Sequence, residues 1–298
     1  MLVVALLFLG FFVEFADLLA MRNLQAGDGA GEGSPVAAAA PAGTLRATAS
    51  LPPVAGIART LGGGRWQVDS LLGPGQDPHV YEPTPRQVSA LAASRFFFRT
   101  GMPFEDALAS RAAAKYPGVK VVALEPEGPE EHGHGHGHDE AAVHGWLSPH
   151  NLEAWAHAVA DEIEAADPAE RAAVERRLAA WIDALDAEED ATRDAVAESG
   201  VRAFAAWHPA YGAWAECFGL EQIALEADGK SPGPQTLAAA RRRIAETGAR
   251  TMLVQNGAEA ARAAEFARDA GLRVAVVPPL GDDPLETLRL LRGAVSGD

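Results

Sequence analysis

From Leu45 onward the chain alternates short apolar runs with stretches of helical spacing. LRATAS at 45–50, WQVDSLL at 66–72, FFF at 96–98 and the run from Lys120 to Leu124 read as strands. Helical patterns lie between them, one from Pro52 to Leu61, stopped by Gly62-Gly63-Gly64, and one over 85–94. Short strands rich in apolar residues, separated by helices, predict a parallel sheet covered on both faces. The same rhythm returns late in the chain. FAAW at 204–207, QIAL at 222–225, TMLV at 251–254 and VAVV at 274–277 are strand candidates, with helices at 235–247, 258–269 and 284–294.

Residues 148–197 interrupt this alternation. Ser148-Pro149 combines a hydroxyl cap with proline in the first turn, and Leu152, Trp155, Val159 and Ile163 follow at helical spacing. Asp167-Pro168 repeats the start signal, with Glu170 at the capping-box position. Val174, Leu178, Trp181, Ile182 and Leu185 then form an apolar stripe, and Gly200 ends the pattern. A helix of roughly 28 residues is about 42 Å long at 1.5 Å per residue, enough to run between two lobes. The predicted fold class is therefore α/β: two lobes, each with a mainly parallel sheet flanked by helices, joined by a long helix. The expected divisions are an N-terminal lobe at 45–166, a linking helix at 167–198 and a C-terminal lobe at 199–298. In such sheets ligands bind outside the carboxyl ends of the strands, so two facing lobes make a cleft there.

The amino terminus reads differently. LVVALLFLGFFV at 2–13 is too short to span a bilayer, which takes about 20 residues, and suits the apolar core of a secretory signal. Residues 1–22 are read as a signal peptide or short membrane anchor, and 23–44, rich in Gly, Ala, Ser and Pro, as a flexible linker. These features predict export to a periplasmic or other extracytoplasmic location.

Charge narrows the partners. With 25 Lys and Arg against 41 Asp and Glu the net charge is −16, which argues against nucleic acid as a partner. The single cysteine, Cys217, excludes an internal disulfide, a Cys-rich zinc cage and an iron–sulfur cluster. Its helical neighbourhood beside Phe218 reads as a buried thiol. Trp146 and Tyr211 read as core residues or as walls of the cleft.

Nine histidines remain. His79 lies in the loop DPHVYEPTP after the second strand, His144 just before the Ser148-capped helix, and His208 directly after FAAW. Imidazole is a frequent metal ligand, but these three are distant in sequence and can meet only through the fold. His132, His134, His136 and His138 alternate with glycine inside EEHGHGHGHDE at 130–140. That tract reads as an exposed loop able to bind metal weakly, or as a low-complexity insertion without a role. His150 and His157 are left with a structural role. Glu82 reads as a possible hydrogen-bond partner for a ligand histidine.

Taken in order, DPHVYEPTP, HGWLSPHN, the long helix, WHPAYGAWAECFGL and VVPPLG resemble the extracytoplasmic solute-binding proteins of zinc and manganese ABC importers. The resemblance covers 45–296. It implies two α/β lobes bridged by a rigid helix, with metal held in the cleft. The family's three histidine ligand positions match His79, His144 and His208. Manganese-type members resemble a glutamate pattern at the third position, so histidine there implies Zn2+ rather than Mn2+, in line with the preference of imidazole for zinc. The His-rich loop resembles the zinc type as well. Where the family often has aspartate before PLG, this chain has Pro278, which leaves water, Asp282, Asp283 or Glu82 for the fourth ligand position. VQNG in the second lobe is also less acidic than the family pattern. The implied partners are the ABC permease and ATPase subunits of a metal importer, with the binding protein itself a monomer and not an enzyme. Two other classes share three histidines and one metal: a zinc hydrolase with a bound water, and a metal storage or chaperone protein.

Overall fold

The computed structural model describes residues 44–73, 75–124, 144–226 and 230–297. The segments read above as signal, linker and His-rich tract, up to residue 43 and within 125–143, lie outside the described residues. No helix among the described residues is long and apolar enough to cross a membrane.

The chain runs β1 (Leu45–Ala49), α1 (Pro52–Gly62), β2 (Trp66–Ser70), α2 (Pro85–Ala92), β3 (Phe96–Arg99), α3 (Pro103–Lys115) and β4 (Lys120–Ala123). Then come α4 (Pro149–Ala166) and α5 (Arg171–Ser199). The second half holds β5 (Ala203–Ala206), α6 (Gly212–Cys217), β6 (Glu221–Ala224), α7 (Pro234–Thr247), β7 (Thr251–Val254), α8 (Gly257–Asp269), β8 (Arg273–Val276) and α9 (Pro284–Ser296). Two four-stranded sheets result, in the orders β2-β1-β3-β4 and β6-β5-β7-β8, and every strand pair is parallel. The α/β reading with two parallel sheets and a long helix between them is what the structure has.

Three local readings need adjustment. Asp167-Pro168 does open the long helical segment, but as a 3-10 turn and without a side-chain cap. The Asp167 carboxylate instead accepts from Arg65 Nε and Nη2, at 3.1 and 2.7 Å. Pro168–Glu170 form a 3-10 turn, and α5 begins only at Arg171. A buried carboxylate already held by a guanidinium is not available as a cap. α5 runs 29 residues, about 44 Å at 1.5 Å each, to a left-handed Gly200. The second correction is α3, which the pattern did not reveal: its sequence, PFEDALASRAAAK, is alanine-rich and carries too few large apolar residues to show a stripe. The third is Cys217, which is exposed at the end of the six-residue α6. Its Sγ donates to Ala213 O at 3.3 Å, a contact within its own helix.

The lobes share one core. Phe204 and Ala206 of β5 and Leu253 of β7 belong to the same apolar cluster as Phe97, Phe98, Trp155 and Trp181 of the first half and the linking helix. Their neighbours Ala203, Ala205, Met252 and Val254 point the other way, into a smaller cluster with Ile244 and Phe266. This is the strand period of two expressed as two layers. The last helix closes the arrangement. Leu285, Leu288 and Leu291 of α9 enter the shared cluster, and Arg292 pairs with the buried Glu188 of α5 through Nε–Oε1 at 2.8 Å and Nη2–Oε2 at 3.3 Å.

At the start of α3 the fully buried Glu105 closes the turn after β3. Its carboxylate accepts from the backbone N–H of Thr100, Gly101 and Met102 and from the Thr100 hydroxyl, at 2.8–3.1 Å. Burial pushes this carboxyl above its ordinary pKa, and the donated hydrogen bonds oppose the shift. Removing it strands the buried N–H groups of Thr100 and Met102. Glu105→Ala is therefore expected to lower the unfolding free energy by about 2–3 kcal/mol. Urea denaturation of the metal-free protein measures this, and an unchanged midpoint would refute it.

Candidate metal centre

Strand ends deliver the histidines. The loop after β2 is fixed on both sides of His79. The His79 N–H donates to Asp77 Oδ1 at 2.8 Å, forming an Asx turn. Tyr81 Oη and Gln87 Nε2 both donate to Leu71 O at 2.6 Å. Thr84 and Gln87 form the capping box of α2. His79 is thus exposed on a tethered loop.

His144 is buried and opens the 3-10 turn Gly145–Leu147 that leads into α4. The Ser148 cap is present, with Oγ accepting from Asn151 N at 3.4 Å, and Asn151 Nδ2 donates back to Gly145 O at 3.1 Å. His208 stands two residues beyond β5 and is half-buried.

The fold brings these three rings together. One ring nitrogen from each of His79, His144 and His208 lies within 4.8 Å of the others. Ring centroids are 5.3 Å apart for His144–His208, 5.5 Å for His79–His144 and 5.7 Å for His79–His208, all edge-on. Two of the rings come from the first lobe and one from the second. They line a cleft of about 1160 Å³ at the carboxyl ends of both sheets.

His208 has a partner that the sequence reading missed. Its Nδ1 lies 3.2 Å from Glu226 Oε2, on the loop after β6. A carboxylate only accepts, so Nδ1 carries the proton and donates, which leaves Nε2 with a free lone pair. The available signal was positional: Glu226, like His208, follows directly on a strand's carboxyl end. Glu259, in the first turn of α8, also lines the cleft and is buried. Burial pushes its carboxyl upward, opposed by the hydrogen bond from Gln255 N at 2.5 Å and by the nearby His208.

The residues named for the fourth position stand in three different places. Asp282 lines the cleft, but its carboxylate pairs with Arg59 of α1. Asp283 caps α9, with Oδ1 accepting from the N–H groups of Leu285 and Glu286 at 3.0 and 3.3 Å. Glu82 is exposed and does not line the cleft. Glu226, not Glu82, is the carboxylate that meets a histidine of the cluster. His150 and His157 are exposed on α4, outside the core. Trp146 and Tyr211 are fully buried, and Trp146 also lines the cleft. His132, His134, His136 and His138 lie outside the described residues.

A family model described as "Zinc-uptake complex component A periplasmic" (ZnuA) matches residues 48–292. The chain is 26% identical over 254 residues to the zinc-binding lipoprotein AdcA of Streptococcus pneumoniae, covering 80% of this chain and 50% of that protein. It is 27% identical over 173 residues to the iron ABC transporter substrate-binding lipoprotein MtsA of Streptococcus pyogenes, covering 52% of this chain and 53% of that one. The chain therefore spans about half the length of these curated relatives. Among solved structures it resembles a crystal structure of ZnuA, with a TM-score of 0.74 at 24% identity, covering 85% of this chain and 98% of that one. It also resembles the Zn(II)-bound ZnuA-like domain of Streptococcus pneumoniae AdcA, with a TM-score of 0.68 at 21% identity, covering 85% and 100%. At these identities the likeness to solved structures shows the fold. The family match takes in both sheets, the linking helix and all three clustered histidines, and the chain belongs to the zinc-uptake complex component A family.

Proposed function

We propose that this protein captures a divalent metal ion, zinc in the first place, between the imidazoles of His79, His144 and His208. It then hands the ion to the permease of an ABC importer, with its ATPase, outside the cytoplasm. The observation that carries this reading is the convergence of three ring nitrogens within 4.8 Å. Three nitrogen donors suit zinc, with a water in the fourth, open position, whereas manganese favours oxygen. The names of the relatives agree on a metal as the ligand. AdcA is zinc-binding, and MtsA belongs to an iron ABC transporter.

Capture and release require no covalent step, and the reading has no enzymatic role in it. Each histidine contributes a lone pair. Glu226 orients His208 and adds negative charge on the far side of its ring from the ion, as carboxylates behind metal-bound histidines do. The net charge of −16 favours the approach of a cation. The same assignment makes the first lobe, the linking helix and the second lobe the functional divisions of the chain, with the ion between the lobes. His132, His134, His136 and His138 are assigned a separate, weak collecting role.

Equilibrium competition against a zinc chelator should show one tight equivalent, plus weaker ones contributed by 132–138. Replacing His144 or His208 by Ala should weaken the tight equivalent by more than about a hundredfold, beyond what loss of an outer partner costs. Full retention in both variants would remove the cleft from consideration.

Glu226→Gln keeps the size of the side chain and removes its charge. Zinc affinity should drop by about 10–100-fold while the stoichiometry stays at one. Affinity equal to wild type would show that Glu226 plays no part.

Binding needs neutral imidazoles, so taking up the ion displaces protons at low pH. Affinity should fall as the pH is lowered, because protons compete with the ion for the imidazole lone pairs. A titration by calorimetry at pH 7.5 and pH 5 checks this. Equal affinities at the two values would contradict a three-imidazole site.

A further inference from the structure

Trp146 joins the histidine cluster to a part of the second lobe that supplies no ligand. Its indole ring meets His144 edge-on, with centroids 5.1 Å apart at 63°. On its other side Nε1 donates to Pro279 O at 2.9 Å. Trp146 is 1% exposed, so no water replaces that donor. Pro279 belongs to the segment 277–283, which connects β8 to α9 and forms one wall of the cleft through Pro278, Leu280, Gly281 and Asp282.

The segment is tied down along its length. At its start Val277 O accepts from the buried Tyr211 Oη at 2.7 Å. In the middle is the Trp146 bond. Near its end Asp282 pairs with Arg59, and Asp283 caps α9. Its backbone also lies directly on α1: a Cβ added at Gly56 would stand 1.8 Å from Asp282 O, so only glycine fits there. Two consecutive prolines fix φ at Pro278 and Pro279.

We propose that Trp146 is a positioning residue that couples His144 to this segment, and that 277–283 is a latch that sets the rate at which the ion leaves the cleft. The proposal rests on the cleft being the ion site. Its physical content is simple. When the latch is down, the Trp146 indole is held between the Pro279 carbonyl and the His144 ring. When it lifts, the indole loses its acceptor and His144 loses the wall that orients it.

Trp146→Phe keeps an aromatic ring beside His144 and removes the donor. Zinc release from the full chain into excess chelator, followed by stopped flow, should become about tenfold faster, the size of one lost buried hydrogen bond. Amide exchange at Leu280–Asp283 should also quicken in the metal-free protein. A merely structural tryptophan would lower the urea midpoint of the metal-free protein and leave the release rate unmoved, which overturns the proposal. If Trp146→Phe does not fold, Arg59→Gln tests the same latch from its exposed end, with release a few-fold faster and the same amides exchanging faster. A wild-type protein that holds no zinc tightly overturns the ion reading and the latch with it. Variants that keep one tight zinc, with release and exchange both unchanged, overturn the latch alone.

Discussion

Three imidazoles from three separate loops meet only if two sheets hold their carboxyl edges at a fixed separation. The shared core imposes that separation. β5 and β7 send Phe204, Ala206 and Leu253 into the cluster that also buries Phe97, Trp155 and Trp181. The last helix returns from the second lobe to place Leu285, Leu288 and Leu291 in it. Separating the lobes would return all of these side chains to water, at about 1.5–3 kcal/mol for each large one. A wide hinge opening is therefore excluded at ordinary cost. The floor of the cleft, built on that core, is the fixed part; any change would fall to the loops at the strand ends.

Those loops are themselves well anchored. His79 is exposed, yet its loop is fixed by the Asp77 turn and by two donors on Leu71 O. His208 is aimed by Glu226, and His144 by the turn that leads into α4. A ligand set held in this way gives up little conformational entropy on binding, because the ordering is already done by the fold.

The strands were legible because parallel strands buried on both faces are continuous apolar runs. FFF, TMLV and FAAW need no tertiary information to be read as strands. The three clustered histidines were legible because each follows a strand or precedes a capped helix, where the fold class puts its ligands. The chain's resemblance to a family then grouped them. The rest depended on pairings that no local pattern encodes. Asp167 has the sequence of a cap, but Arg65, distant in sequence, takes its carboxylate. Asp282 and Asp283 stand where a fourth ligand was sought. One answers to Arg59 and the other to the N–H groups of α9. Glu226 is one acid among 41 Asp and Glu, and nothing in the order of residues connects it to His208. Cys217 sits in a helical pattern, but the face that this helix buries is that of Ala213, Trp214 and Ala215.

The fate of those carboxylates bears on what kind of site this is. A carboxylate bound directly to an ion would fill the fourth position and add a full negative charge to the coordination sphere. Glu226 instead acts through the His208 ring, and Glu259 lies buried beside it, held by Gln255 N. On the proposed reading, negative charge there would still draw a cation into the cleft, because Coulomb attraction falls only as the inverse of distance and is poorly screened among buried groups. On that reading the coordination position itself stays open. On the proposed reading, attraction and ligation are thereby separated: the acids concentrate the ion, and the imidazoles hold it. Pro278, at the place where the family often has aspartate, then costs the site a ligand but supplies stiffness to the wall beside it. A binding protein that must surrender its cargo is better served by a movable wall than by a fourth anionic bond. The hydrogen bond from Trp146 to Pro279 is the point at which the wall and the ligands touch.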